Sequence, residues 1–190
     1  KPMKCTRLRA VTVLVIMATL CLGGPAMAEK VLSIGIKSAD MGILDPHLSA
    51  TTANLPIMDS IFNGLVRFRP GSVDLEKIEP DLAESFTISP DGKIYTFKLR
   101  KDVKFHNGRK LTAEDMKYSI ERAVNPKTQS PGQGFFWTIK GFDDMVAGKT
   151  TELSGMTVVD PYTLRIELSQ PDATFLHVMA INFAFAVPKE

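Results

Sequence analysis

The chain has 190 residues, with 23 Lys and Arg against 21 Asp and Glu, a formal charge of +2 and 44% hydrophobic residues. It is long and apolar enough to bury a core without disulfide staples. Its two cysteines, Cys5 and Cys21, both lie near the N-terminus.

The first 28 residues read as an export signal. Lys4, Arg7 and Arg9 form a positive start, Ala10 to Leu22 is an apolar run, and Ala26 and Ala28 fit the small-x-small cleavage pattern. The apolar run is short for a spanning helix, which needs about 20 residues. Leu20 stands where a lipidation motif at Cys21 would want a small residue. Cleavage is expected after Ala28, leaving 162 of the 190 residues. Both cysteines leave with the signal, so no disulfide is expected although the compartment would permit one. Four basic residues leave as well, taking the formal charge from +2 to −2. No basic field then remains for nucleic acid.

The remaining chain alternates strands and helices. Lys30 to Ile36 is short and aliphatic, a buried strand. A loop holding Asp45-Pro46 follows, then helical spacing from Leu55 to Phe62 and a strand at `LVRF`. `SFTI` and `KIYTFKL` flank `SPDG`, a type I turn, and form a hairpin with Tyr95, Phe97 and Leu99 on its buried face. `VKF` continues that pattern up to the turn at His106-Asn107-Gly108. Thr112 and Asp115 form a capping box, and Leu111 and Met116 a hydrophobic staple. Met116, Ile120, Ala123 and Val124 make the apolar stripe of that helix, while Lys117, Glu121 and Arg122 are expected to face outward. Pro126 ends it. A Gly/Pro/Ser/Gln loop leads to `GQGFFW`, a second hairpin turns at Asp160-Pro161, and Pro171 opens a short helix through Met179. The chain closes on `AFAVPKE` without a capping element, as a piece of a longer protein would.

Chemistry is sparse. The sequence holds no nucleophile elbow, P-loop or zincin helix. `GQGFFW` opens like a dinucleotide loop, but Trp137 stands where the third glycine belongs. His47, His106 and His177 lie far apart without carboxylates at ligand spacing, so no metal site or cofactor is expected. Asp45 is near His47, but Pro46 between them points to a turn. Phe135, Phe136 and Trp137 are consecutive and cannot all face one core. They serve either as a core plug or as a wall of a ligand pocket.

The stretch from Pro80 to Ala123, `PDLAESFTISPDGKIYTFKLRKDVKFHNGRKLTAEDMKYSIERA`, resembles the signature region of the family 5 extracytoplasmic solute-binding proteins of ABC importers. `LDPH` with `IFNGLVRF` upstream and `VVDPYTLRIELSQPDATFLHVMA` downstream extend the likeness over nearly the whole mature chain. The resemblance implies an α/β fold, a two-lobed clamshell of the periplasmic-binding-protein type with an inserted α+β domain. Residues 29–53 would start lobe I, 54–170 would be the inserted domain, and 171–190 would return to lobe I, truncated. It further implies a periplasmic, monomeric receptor that is no enzyme. The receptor would capture a peptide or similar small solute and deliver it to a membrane permease. Two regions are implied to face the cleft: Ser38, Ala39, Asp40 and Met41, and Gln133, Gly134, Phe135, Phe136 and Trp137. The competing reading is a secreted hydrolase acting on envelope peptides, which would need a nucleophile–base pair that these residues do not display. The ligand stays open among peptide, nickel chelate, sugar and haem.

Overall fold

In the computed structural model the described residues are Gly35, 42–72 and 74–189. The expected signal, the strand at 30–36 and the candidates Ser38, Ala39, Asp40 and Met41 lie outside them, Gly35 excepted. Residues Lys37–Glu190 form one compact unit.

The unit starts with a single 3₁₀ turn, Thr52–Asn54, running into helix α1, Leu55–Ile61. Of the apolar residues that set the helical spacing here, only Met58 is buried, and Leu55 and Ile61 remain exposed. Strands β1, Val66–Phe68, and β2, Ile78–Pro80, pair as a two-stranded antiparallel ribbon. Its register sets Arg67 opposite Glu79, and their side chains form an ion pair at 2.8 Å. Three residues with a proline and a charge carry no alternation, so β2 is invisible to sequence pattern. It forms because it can pair with β1.

The main sheet has the order β3-β4-β6-β5, all antiparallel. It is built from β3, Ala83–Ile88, β4, Ile94–Leu99, β5, Met156–Asp160, and β6, Thr163–Glu167. Both expected hairpins are present. At the first turn the Gly92 N–H donates to the Ser89 carbonyl at 2.9 Å, and Gly92 takes φ +69°, which a side chain would resist. Tyr95, Phe97, Leu99, Leu164 and Ile166 point to one face and are buried there. `VKF` does not extend β4. It makes a single bridge between Lys104 and Lys110, because Gly108, at φ +87°, turns the chain back after only three residues.

Helix α2, Ala113–Val124, covers the buried face of the sheet. Met116, Ile120, Ala123 and Val124 are all fully buried, as the 4-3-1 spacing requires. Burying each of the larger ones contributes about 1.5–3 kcal/mol. At the N-terminus the Asp115 carboxylate does three jobs. It accepts the Thr112 backbone N–H at 2.9 Å, the Thr112 hydroxyl at 3.1 Å, and two N–H groups of Arg109 at 2.8 and 3.0 Å. The capping box is therefore locked from outside by a bidentate guanidinium.

The outward-facing expectation for Lys117, Glu121 and Arg122 needs correction. Their side chains are only 17%, 13% and 25% exposed. Glu121 accepts the Leu153 backbone N–H at 2.9 Å, Lys117 bridges Glu121 and Glu152, and Arg122 pairs with Asp45. Loops fold over the polar face of α2, and its charges pair with their side chains and, at Glu121, with a backbone N–H. Burial, opposed by the Leu153 N–H and Lys117, holds the Glu121 carboxyl above its ordinary value.

After α2 come one 3₁₀ turn, Pro126–Thr128, another, Gln133–Phe136, and the short helix α3, Phe142–Val146. Helix α4 covers only Phe175–Val178. Its start is set by Asp172, which accepts the Thr174 backbone N–H at 2.8 Å and hydroxyl at 2.7 Å, rather than by Pro171. Phe175 packs on Tyr95 with ring centroids 4.6 Å apart.

The capping geometry predicts that Thr112→Ala lowers stability by ~1 kcal/mol. Asp115→Ala, which removes the acceptor of the Thr112 N–H and hydroxyl and of two Arg109 N–H groups together, should cost more. Urea denaturation of both variants tests the ranking, and a Thr112→Ala loss equal to or above that of Asp115→Ala would refute it.

Candidate functional site

The loop after α2 is pinned at three points. The Gln133 side-chain amide donates to the Val124 carbonyl at 2.7 Å, taking up one of the acceptors left open at the helix end. The Ser130 hydroxyl donates to the His47 carbonyl at 2.6 Å and accepts the Gly132 N–H at 3.2 Å. Thr138, fully buried, donates its hydroxyl to Asp172 at 3.3 Å, and its carbonyl accepts the Ser169 backbone N–H at 2.8 Å.

On this frame the three aromatics part. Phe136 is fully buried and plugs the core. Phe135 and Trp137 are 49% and 54% exposed. The Phe135 ring stacks on Phe183 at 5.9 Å between centroids. Trp137 walls a groove of about 280 Å³ shared with Lys140, Phe142, Asp143 and Ser169. Gln133 is partly buried and Gly134 exposed, with nothing within 4 Å of a Cβ built on it. Gly132 has a different reason to be glycine: a Cβ there would sit 2.1 Å from Cγ of Phe183. Its smallness serves an internal ring contact. A separate apolar groove of about 320 Å³ lies between Phe62, Leu82, Phe105 and Leu111, and loop 129–137 takes no part in it.

The Ser130 bond sets this loop beside the turn at 45–49, which sequence reasoning treated as a turn and nothing more. The turn is real. Asp45 accepts the His47 backbone N–H at 2.9 Å through its side chain. The His47 ring, however, is fully buried. Its Nδ1 lies 2.8 Å from Arg122 Nη1 and its Nε2 lies 3.0 Å from the Phe185 carbonyl. Arg122 has no acceptor to offer, so Nδ1 accepts and the ring proton sits on Nε2, donating to Phe185. His47 is thus held as one neutral tautomer. Burial pushes its pKa below the ordinary value, the Phe185 carbonyl opposes this, and the Arg122 charge adds to the lowering. Burial alone would raise the Asp45 carboxyl, but the bonds from Arg122 and the His47 backbone outweigh it and leave it low.

The segment that ends the described chain closes the cluster. The Asn182 side-chain amide donates to the Pro46 carbonyl at 2.6 Å and the Ser49 carbonyl at 3.0 Å. The Val187 N–H donates to the Ser119 hydroxyl of α2 at 2.9 Å. Five residues found only by the fold (Asp45, His47, Arg122, Ser130 and Asn182) therefore tie two distant segments to one helix. The sequence signal that could have found them is Asp-Pro-His, which aims a carboxylate and an imidazole the same way, with an arginine on the helix predicted to be exposed. Among the described residues no three His, Cys, Asp or Glu side chains group to hold a metal ion. No described helix is long and apolar enough to cross a membrane.

Residues 77–190 match the family described as bacterial extracellular solute-binding proteins, family 5, middle region. The chain is 33% identical over 180 residues to di/tripeptide-binding protein 4 of Pseudomonas aeruginosa (strain UCBPP-PA14), covering 90% of this chain and 32% of that protein. It is 33% identical over 171 residues to the periplasmic oligopeptide-binding protein OppA of Escherichia coli (strain K12), covering 87% and 30%. The solved structure of the murein tripeptide binding protein MppA of Escherichia coli superposes with a TM-score of 0.70 at 34% identity, over 77% of this chain and 28% of that one. The chain thus spans about a third of the length of the curated relatives it matches, and those relatives are binding proteins. The capped helix on its antiparallel sheet is part of a two-lobed periplasmic-binding-protein fold, as the sequence resemblance implied. The chain belongs to the family 5 bacterial extracellular solute-binding proteins.

Proposed function

We propose that the full-length protein is the substrate-binding subunit of an ABC-type importer, exported by a signal cleaved after Ala28, and that it captures peptides for a membrane permease. The observation that carries this reading is the 33% identity, spread over 180 residues, to a protein named for di- and tripeptide binding. The local geometry agrees with it. Two exposed aromatic faces, Phe135 and Trp137, stand on a loop held rigidly at both ends. Aromatic surface of this kind grips varied side chains by area, which suits a receptor for peptides of different sequence. The helix α2 and its sheet are the scaffold that fixes this loop. In this reading residues 29–53 and 171–190 belong to one lobe and 54–170 to the inserted domain, and the receptor works as a monomer. Ser38, Ala39, Asp40 and Met41 are proposed as further ligand contacts.

The test uses the full-length receptor and a defined tripeptide such as trialanine. Phe135→Ala or Trp137→Ala should weaken binding by about 1–3 kcal/mol in calorimetry while leaving thermal stability nearly unchanged. Phe136→Ala should do the reverse and cost about 3–5 kcal/mol of stability. Unchanged affinity in both exposed-ring variants would remove this loop from the ligand site.

The frame beneath the loop makes its own forecast. Gly132→Ala must push the Phe183 ring aside and should cost about 1–3 kcal/mol. Gly134→Ala, with open space above it, should stay within about 1 kcal/mol of the parent. Equal melting temperatures for the two variants would contradict the packing described here. For export, N-terminal sequencing of the secreted protein should begin at Glu29, and recovery of secreted protein that still carries the residues before Glu29 would refute the cleavage.

A further inference from the structure

Three chain segments meet at one histidine. His47 accepts from Arg122 of α2, donates to Phe185 of the extended segment 185–187, and offers its own carbonyl to Ser130 at the start of the aromatic loop. A proton added at Nδ1 has nowhere to go. It would point at a guanidinium N–H 2.8 Å away, replacing a hydrogen bond by two donors and two positive charges face to face.

We propose that the Asp45–His47–Arg122 cluster is an acid-sensitive latch: protonation of His47 frees the turn 45–49 and the segment 185–187 from α2 and slackens the loop that presents Phe135. The proposal rests on the solute-binding reading for its consequence, since that loop is the candidate ligand surface. The groups able to offset the new charge are few. Asp45, on the same turn, already gives both carboxylate oxygens to Arg122. Arg122 is repulsive. Tyr118 lies beyond it on α2, with the Lys189 ammonium 6.0 Å over its ring. Residues 182–187 and 130–137 contain no ionisable side chain and supply only the Phe185 carbonyl and the Ser130 hydroxyl. Nothing nearby can take the place of the lost bond without moving.

The sign follows from proton linkage. The open form binds a proton near pH 6.5, the ordinary histidine value, and the closed form only at lower pH. The latch is therefore fully closed above pH 6.5, and opening grows as pH falls from there towards the lower value of the closed form. Between pH 7.5 and 5.5 the opening equilibrium should rise, with about tenfold as the ceiling set by the open form's ordinary histidine value.

Site-resolved hydrogen exchange on the full-length protein measures this. Protection of the Ala186, Val187 and Gly132 amides, corrected for intrinsic exchange, should fall severalfold, to at most about tenfold, between pH 7.5 and 5.5. The amides of Phe97 and Leu164 in the main sheet should hold. In His47→Gln, which can still accept and donate but cannot titrate, the three amides should lose their pH dependence. If that variant does not fold, the contrast between latch and sheet amides in the parent protein still decides. An equal fall in latch and sheet amides, an unchanged latch, or the same fall in His47→Gln would overturn the proposal. Trialanine affinity at the two pH values gives a separate arm. Weaker binding at pH 5.5 in the parent alone supports the regulatory consequence, and equal binding despite an open latch overturns it. Absence of trialanine binding at either pH would count against the peptide reading, while the exchange data would still decide the latch.

Discussion

Arg122 cannot shed its charge, and much of the unit is arranged around that fact. Its guanidinium is only about a quarter exposed, so leaving it unpaired would cost several kcal/mol. Asp45 supplies the countercharge through two hydrogen bonds, and His47 supplies a neutral acceptor for the same Nη1. Both partners come from a turn 77 and 75 residues away in sequence. Satisfying one cation thereby fixes the turn at 45–49 on α2. The other ring nitrogen of His47 then fixes the segment at Phe185.

The same economy appears at the other end of α2. Asp115 serves the helix cap and a bidentate arginine at once, and Ser119, one turn on, both donates to the Asp115 carbonyl and accepts the Val187 N–H. The helix is thus a strut whose apolar face packs on the sheet and whose polar face pairs with side chains and backbone of the loops around it. A clamshell receptor needs such an element, since ligand contacts carried on loops are only as well placed as the scaffold that holds them.

What the sequence disclosed, and what it hid, divides along the same line. The hairpins β3–β4 and β5–β6 and the stripe Met116, Ile120, Ala123 and Val124 were legible because period 2 and period 3.6 are properties of consecutive residues. The cap at Thr112 was legible because its partner is three residues away. Strand β2 was not, because its only reason to be extended is β1. Nor were the burial of Glu121 and Arg122, because a charged residue on a polar face reads as solvated until a distant loop is known to cover it. Nor does the sequence hint at why position 132 is glycine: it is small because Phe183 stands over it.

The three consecutive aromatics join these two halves of the lesson. A core plug and a pocket wall looked like alternatives because they were asked of the tripeptide as a whole. A 3₁₀ turn over Gln133–Phe136 rotates neighbouring side chains by about a third of a circle each, so adjacent residues need not share a fate. Phe136 takes the core and leaves Phe135 and Trp137 exposed on the surface. The plug is what makes the exposed rings precise: an aromatic on a loose loop would pay its ordering entropy on binding, and one anchored through a buried neighbour has already paid it. If the exposed rings meet a ligand as proposed, anchoring at Phe136, at Gln133 and at Ser130 would lower the ordering cost of binding without itself touching the ligand. Of these anchors the Ser130 bond is the one made to His47, at its backbone carbonyl, and the imidazole of that residue carries the proposed latch. Through it the proposed latch would reach the aromatic loop.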